Sequence, residues 1–347
     1  MKAILEASVI IPTLNRCVLL ENAINSVIKQ DFDCTKFEII IVDNGSADGT
    51  KNIVSELIKR NPHHAICYIY DDVPGLLTGR HRGAKEAKSD ILIFVDDDIE
   101  ASPGWLEAIC STFRDPDIQL VGGKCLPIYD VVPPEWEKSL WSRNNGLKMC
   151  CYYSLIDQGD IQKDTDPNYI FGLNFCIRKQ AFFDCGGFHP DCIPKRLQKY
   201  QGDGETGLTM KFTKKGLRAV YEPKALIYHH VTQERLTVEY LENRMFYSGV
   251  GHSYSLVRNH SKAMATYALV LRKIKINAKA LLLFLKDKIN FIPALEEYHL
   301  RALRKKMKIA YQEGFDFHQT EIKKDPELIR WIKKENYFDY ELPNQQN

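Results

Sequence analysis

The chain has almost no surplus of charge: across 347 residues, 47 Lys and Arg face 45 Asp and Glu, a formal +2. No overall field draws it toward nucleic acid, and no nucleic-acid partner is expected. It also lacks any run of about 18 uncharged apolar residues, the length a spanning helix needs. The opening MKAILEASVIIPTLNR holds no apolar core of signal-peptide length. Together these absences lead to the expectation of a cytoplasmic chain without a membrane span. The ten cysteines form no C-x-x-C and no Cys/His pairing at zinc spacing. Scattered thiols in a reducing compartment are expected, not a disulfide or zinc scaffold.

What is present is organised around one strand end. The apolar run 91–95 is too short for a helix and rich in branched and aromatic residues, so it reads as a buried strand. It stops where Asp96, Asp97 and Asp98 begin, at a carboxyl end, where open α/β sheets place their ligands. Strand alternation predicts Asp96 and Asp98 on one side and Asp97 on the other. Two carboxylates together suit a hard divalent cation that keeps positions for water and phosphate oxygens. A solvated acidic turn is the alternative.

Residues 7–11, 37–42 and 65–70 are further strands, and 18–29 and 48–59 carry apolar residues at helical spacing. Strand, polar turn and helix in alternation predict a parallel sheet with crossover helices. The turns at 12–16 and 43–46 then share one sheet edge. Segment 75–83, punctuated by glycines, carries Arg80 and Arg82, either as bidentate phosphate contacts or as a solvated helix face. A helix over 103–111 and a strand over 118–121 follow. From 122 to 168 the periodicity fails, and the aromatics there, Trp136 and Trp141 among them, either stack on a sugar or pack a loop. Next come a strand over 169–177 interrupted by Gly172, a short helix from Lys179, and a helix over 209–215 stopped by Gly216. Asp203 and Glu205 fall at or before that helix's N-terminus, where carboxylates are favoured as caps, yet their flanking glycines suit close backbone approach at a site. Short strands over 219–221 and 225–228 lead to His229 and His230, and a helix runs to about Asn259. Between Ser261 and Tyr311, twelve Lys or Arg face three acids around the apolar run 280–285. That pattern fits an amphipathic helix on an anionic membrane or a packed helix with its lysines in water. Beyond Gly314 a polar tail or a last short helix is expected.

The order Ser8-Val9-Ile10-Ile11-Pro12-Thr13-Leu14-Asn15-Arg16, Val42-Asp43-Asn44-Gly45-Ser46-Ala47-Asp48-Gly49-Thr50, Asp96-Asp97-Asp98, Asn174 in Gly-Leu-Asn-Phe, and Gly202-Asp203-Gly204-Glu205 resembles the family 2 glycosyltransferases. The resemblance covers about residues 7–257. It implies an α/β protein of GT-A fold, a Rossmann-like, mostly parallel central sheet flanked by helices. It further implies a catalytic domain over 1–257, with a nucleotide-sugar half to about 122 and an acceptor half from 123; the remaining 258–347, outside the resemblance, are expected from their composition to form a basic helical C-terminal extension. The implied activity is inverting transfer of a sugar from a nucleoside-diphosphate-sugar, UDP-linked by family habit, to a hydroxyl acceptor in glycan, polysaccharide or glycolipid assembly. Mg²⁺ or Mn²⁺ is the implied cofactor, and peripheral membrane contact through the basic region is the further expectation.

Residue by residue, the resemblance places Pro12, Thr13, Asn15 and Arg16 over the nucleotide and Asp43 on the base. Arg80 would line the nucleotide pocket, with His81 where asparagine is common. Asp96, with Asp97 beside it, would face the ribose or sugar, and Asp98 would ligate the cation with His229 or His230. Counting back from Gly216 makes Glu205 the general base, with Asp203 as runner-up. Asn174, Trp136 and Trp141 are expected on the acceptor side. A sugar-nucleotide pyrophosphorylase would need a glycine-rich loop after the first strand, and the turn there contains none. A non-catalytic nucleotide- or carbohydrate-binding protein is the other alternative, against which the carboxylates Asp96, Asp98 and Glu205 argue.

Overall fold

The computed structural model describes residues 5–144, 146–259 and 295–339. Two units separate by contact: residues 1–198, 204–237 and 335–347 form one, and residues 199–203 and 238–334 the other. The expected cut at 257 therefore falls inside a helix, Val238–Asn259.

The first unit is built on a twelve-stranded sheet. Its strands are β1 (Ala7–Thr13), β2 (Phe37–Asp43), β3 (Ala65–Tyr70), β4 (Ile91–Val95), β5 (Ile99–Ala101), β6 (Ile118–Tyr129), β7 (Ser142–Asn144), β8 (Leu147–Cys150), β9 (Leu155–Asp157), β10 (Lys163–Asp164), β11 (Asn174–Arg178) and β12 (Arg218–Val231). Its helices are α1 (Cys17–Ile28), α2 (Thr50–Arg60), α3 (Leu76–Glu86), α4 (Trp105–Thr112), α5 (Lys179–Asp184) and α6 (Glu205–Lys214). The main path runs β3-β2-β1-β4-β11-β6-β9-β8-β7. The first four strands are mutually parallel, β11 is antiparallel to both its neighbours, and β12 lies parallel to β6. Every residue of β1, β2 and β4 is buried, as interior strands covered on both faces require, whereas β3 at the edge alternates exposed and half-buried.

Two local expectations change. The segment 122–168 is not irregular: β6 continues to Tyr129, β7, β8 and β9 form an antiparallel meander, and β10 pairs with β12. β7 and β10 are short and polar and carry no apolar period, and β8 and β9 are only four and three residues long, too short to show one. The two short strands expected near 219–228 are one strand, β12, whose register shifts between Glu222 and Ile227. Pro223 lies in that shift, and without an N–H it cannot join the ladder.

Helix α3 lies close against β1 through glycine. A Cβ on Gly79 would fall 2.5 Å from Asn44 Oδ1, and one on Gly83 would overlap Ile10. The end of the chain returns to this helix: His81 Nδ1 donates to the Tyr337 carbonyl at 3.2 Å, and its Nε2 accepts from the Phe188 N–H at 2.9 Å. The Phe338 ring lies 4.7 Å from the imidazole, and Lys85 donates to the Phe338 carbonyl. Burial pushes the His81 pKa down to about 3, so the ring stays neutral.

The second unit is helical: α7 (Val238–Asn259), α8 (Leu295–Lys324) and α9 (Pro326–Ile332). Gly249 of α7 faces the Tyr311 carbonyl and Gly314 of α8 faces the Phe246 carbonyl so closely that a Cβ at either would collide. Gly314, expected to open a tail, is thus an interior helix residue whose lack of a side chain lets two backbones approach. Ser253 and His318 Nδ1 are hydrogen-bonded at 2.7 Å inside this contact. On α8, Leu303, Met307 and Ala310 are buried, while Arg304, Lys305, Lys306 and Lys308 face outward. The apolar run 280–285 lies outside the described residues. Among the described residues no helix is long and apolar enough to cross a membrane, and none of the ten cysteines is in a disulfide.

Candidate active site

The parallel register sets Thr13 beside Asp43 and Ile10 beside Phe94, so the carboxyl ends of β1, β2 and β4 share one edge. The loops after β1 and β2 are laced together. Asn15 has φ +54°, a left-handed conformation that Asn tolerates. Its N–H donates to Ser46 Oγ at 2.9 Å and its Oδ1 accepts from the Ala47 N–H at 2.8 Å. Asp43 is buried, with Oδ1 accepting from the Ser46 N–H and Oδ2 from the Tyr68 hydroxyl. It shapes the turn in this conformation instead of presenting a free carboxylate to a base. Pro12, expected in the loop, is still within β1 and packs beside Gly79.

The acidic triplet departs from strand alternation because β4 ends at Val95 and the chain turns. Asp96 goes to one partner and its neighbours to another: Arg80 Nη2 donates to Asp96 Oδ1 at 2.8 Å, whereas Arg16 Nη1 lies 3.0 Å from both Asp97 Oδ1 and Asp98 Oδ2. Asp97 also accepts from Thr13 Oγ1 at 2.7 Å. Burial pushes the Asp97 pKa up, to about 6, against the pull of Arg16. For Asp98 burial acts in the same direction, but the guanidinium charges of Arg235 and Arg16 pull the other way and the carboxylate is held well below its usual range.

His229 reaches Asp98 from β12. Its Nδ1 lies 2.7 Å from the Tyr153 carbonyl and so carries the proton there. Nε2 faces Arg235 Nη1 at 2.6 Å, and since a guanidinium cannot accept, the lone pair of Nε2 points that way. Asp98 Oδ1 is 3.3 Å from the same Nε2, is buried, and has no hydrogen-bond partner. A ring fixed on a carbonyl through one nitrogen, with the other beside an orphaned carboxylate oxygen, fits a divalent cation. Among the described residues no group of three His, Cys, Asp or Glu could hold a metal; an ion here would have Asp98 and His229 as protein ligands, with its other positions left to phosphate oxygens and water. His230 is not one of them. Alternation along β12 turns it to Glu100, 2.7 Å from Nε2.

Arg80 is buried, its guanidinium 4.9 Å from the Phe188 ring and against Gly172. It does not line an open pocket. It stays charged despite burial because Asp96, Glu205 and Asp191 surround it. Arg82, the other arginine of that segment, pairs with Glu86 on the exposed face of α3. Glu205 is the first residue of α6 and follows Gly204, whose φ is +57° and whose added Cβ would come within 2.9 Å of Asp191 Oδ2. Burial and Asp191 raise the Glu205 pKa, against the pull of Arg80. Asp203 belongs to the helical unit, where Ser255 of α7 donates to its carboxylate. The two carboxylates of the 202–205 motif thus part company, and Glu205 alone joins Arg80 in the sheet unit.

Of the residues expected on the acceptor side, Asn174 is inside the fold. Its Nδ2 donates to the Ala225 carbonyl at 2.9 Å and its Oδ1 accepts from Trp105 Nε1 at 3.1 Å. It ties β11 to β12 and α4 and offers nothing to a ligand. Trp141 donates to the buried Glu137 at 2.7 Å, and Trp136 is half-buried on the same turn. Two residues were absent from the sequence reading, Asp191 and Arg235. Neither falls in a recognisable motif, Asp191 lying in a loop and Arg235 in a short 3-10 turn, and only the fold brings each to the site.

Solved structures share this architecture. A mannosyltransferase from Pyrobaculum calidifontis, solved with GDP-Man and Mn²⁺, superposes with a TM-score of 0.57 at 17% identity, over 97% of this chain and 88% of the other. GalNAc-T7, solved with UDP, GalNAc and Mn²⁺, superposes at 0.51 and 18% identity, over 75% of this chain and 52% of the other. The fold is GT-A, as expected: a mixed, mostly parallel central sheet with flanking helices and a C-terminal helical region.

The family model for glycosyl transferase family 2 matches residues 8–188, and the chain belongs to that family. Glycosyltransferase AglE of Haloferax volcanii is 35% identical over 181 residues, 52% of this chain and 55% of that protein, so the match spans about half of that relative's length. The glucosyl-dolichyl phosphate glucuronosyltransferase of the same organism is 22% identical over 250 residues, 71% of this chain and 75% of that one. A GalNAc(5)-diNAcBac-PP-undecaprenol beta-1,3-glucosyltransferase of Campylobacter jejuni is 37% identical over 119 residues, 34% of this chain and 38% of that one.

Proposed function

We propose that the protein transfers a sugar, with inversion, from a UDP- or GDP-linked donor to a hydroxyl of a lipid-linked glycan. The observation that carries this reading is the pairing of Asp98 Oδ1 with His229 Nε2 at the sheet edge, with Glu205 presented in the same unit. Asp98 and His229 would hold Mg²⁺ or Mn²⁺. Such an ion, when bound, stabilises the charge that collects on the leaving diphosphate. The chain's own residues do the rest. Thr13 and Arg16 fix Asp97 and Asp98, and Arg80 fixes Asp96, so the acidic turn is preorganised before the donor arrives. Glu205, its basicity raised by burial and Asp191, takes the proton of the acceptor hydroxyl. The oxygen forms its bond to the anomeric carbon while the bond from that carbon to the phosphate oxygen breaks, and the nucleoside diphosphate departs with the electron pair.

Two of the relatives carry dolichyl phosphate or undecaprenol in their names, which supports an acceptor on a polyprenyl carrier and a site of action at the cytoplasmic membrane face. The outward basic residues of α8 suit contact with anionic headgroups through charge, because the apolar stripe of that helix is already buried. The test is a panel of UDP-, GDP- and dTDP-sugars with Mn²⁺ and a polyprenyl-linked acceptor. Extension of the acceptor by one donor supports the reading; a panel without nucleoside diphosphate release from any donor overturns it.

A further inference from the structure

Arg235 stands in the short 3-10 turn Gln233–Leu236 just after β12, anchored by the buried Leu236. Its planar end group spans the two candidate cation ligands at once. Nη1 donates to His229 Nε2 and Nη2 to Asp98 Oδ2, each at 2.6 Å. A neutral imidazole has one accepting lone pair, and Nδ1 of this ring is committed to the Tyr153 carbonyl. The lone pair of Nε2 therefore serves Arg235 or a metal ion, never both. Asp98 also carries Arg16 at 3.0 Å, so a dication entering here meets two guanidinium charges around a carboxylate that is only 2% exposed.

We propose that Arg235 is a resident cation that occupies the metal position until the donor arrives, and that it then moves to the donor's diphosphate. This rests on the reading of Asp98 and His229 as the metal site. The exclusion follows from the single lone pair, and the destination follows from charge. A guanidinium displaced from two buried acceptors needs an anion within the reach of its side chain, and the diphosphate is the anion that a dication at Asp98 would hold beside it. Metal ion and nucleotide consequently bind as a coupled pair, each raising the affinity of the other, and either one alone must work against the Arg235 clamp. Arg235 is a positioning residue in this scheme, since it acts on the cation site through Asp98 and His229.

The experiment measures Mn²⁺ binding directly, by loss of the free-ion electron paramagnetic resonance signal, on the full chain without turnover. Wild type, Arg235→Gln and Arg235→Lys are titrated alone and with saturating UDP or GDP, with circular dichroism confirming the fold of each. In wild type, nucleotide should tighten Mn²⁺ binding by a factor on the order of ten or more. In Arg235→Gln, Mn²⁺ alone should bind about tenfold tighter than in wild type, and the gain from nucleotide should shrink to a few-fold. Arg235→Lys, which keeps the charge but not the fork, should fall between the two. Equal Mn²⁺ affinity of wild type and Arg235→Gln without nucleotide overturns the proposal while leaving the metal site standing. If no variant binds Mn²⁺ under any condition, the metal site itself falls, and the proposal with it.

Discussion

Asp98 and His229 meet at 3.3 Å, one from the turn after β4 and the other from β12. No local rule joins them. The sheet does, because β12 lies antiparallel to β5, which follows the acidic turn, and its register sets His229 against Ile99. If this pair holds the cation, Asp98→Asn and His229→Gln should each weaken Mn²⁺-dependent nucleotide binding by at least the roughly 10–100-fold that loss of an outer-sphere partner costs. His230→Gln should leave that binding unchanged. Calorimetric titration of nucleotide with and without Mn²⁺ reads all three, and equal losses at His229 and His230 would contradict the assignment.

Asp191 should help set where the acid limb of the pH profile falls. Burial and the Asp191 charge raise the Glu205 pKa, and a base works only when deprotonated. Activity should therefore fall, as pH drops, at a higher pH than an ordinary glutamate would set. Asp191→Asn removes one of the raising influences, leaving burial and Asp96, and should shift that limb to lower pH. A limb that stays in place would show that Asp191 does not act on the base.

His81 should make the sheet unit acid-sensitive. Its pKa is about 3 in the fold and near 6.5 in an unfolded chain. Below pH 6.5 the unfolded chain binds a proton that the folded one refuses, so this contribution is intact above 6.5 and lost progressively as pH falls toward 3. At pH 5 the loss amounts to about 2 kcal/mol. Melting temperatures from pH 8 to 5 should fall more steeply in wild type than in His81→Gln; identical slopes would count against it.

The crossing of α7 and α8 tolerates no Cβ at Gly249 or Gly314. Gly249→Ala and Gly314→Ala should each destabilise the helical unit by about 1–3 kcal/mol, the range for overpacking. Gly146→Ala is not a fair control, because φ there is +82°; Gly104→Ala, where an added Cβ would meet nothing within 4 Å, is. Chemical denaturation followed by far-UV circular dichroism checks the difference, and a neutral Gly314→Ala would mean that the helices can separate at no cost.

The strands of the nucleotide half were legible because β1, β2 and β4 are buried on both faces, which leaves uninterrupted apolar runs in the sequence. The acidic turn was legible for the same reason, as the place where one run stops. Side-chain direction there was not, since alternation holds only inside a strand and Asp96 to Asp98 lie beyond its end. Short polar strands such as β7 and β10 carry no period at all. Gly314, where the sequence suggests the start of a polar tail or last short helix, proves to be a contact surface inside a long helix. Asp191 and Arg235 had no local signature because their meaning comes from partners far along the chain: Glu205 for one, Asp98 for the other.

The most direct measurement is single-turnover transfer by Glu205→Gln beside its Mn²⁺-dependent nucleotide binding, using the donor that the panel selects. A general base supplies about 10²–10⁴-fold, so transfer should fall by that factor while nucleotide binding stays at the wild-type level. Wild-type turnover in Glu205→Gln, or transfer and binding lost together, would contradict the assignment of Glu205 as the group that takes the acceptor's proton.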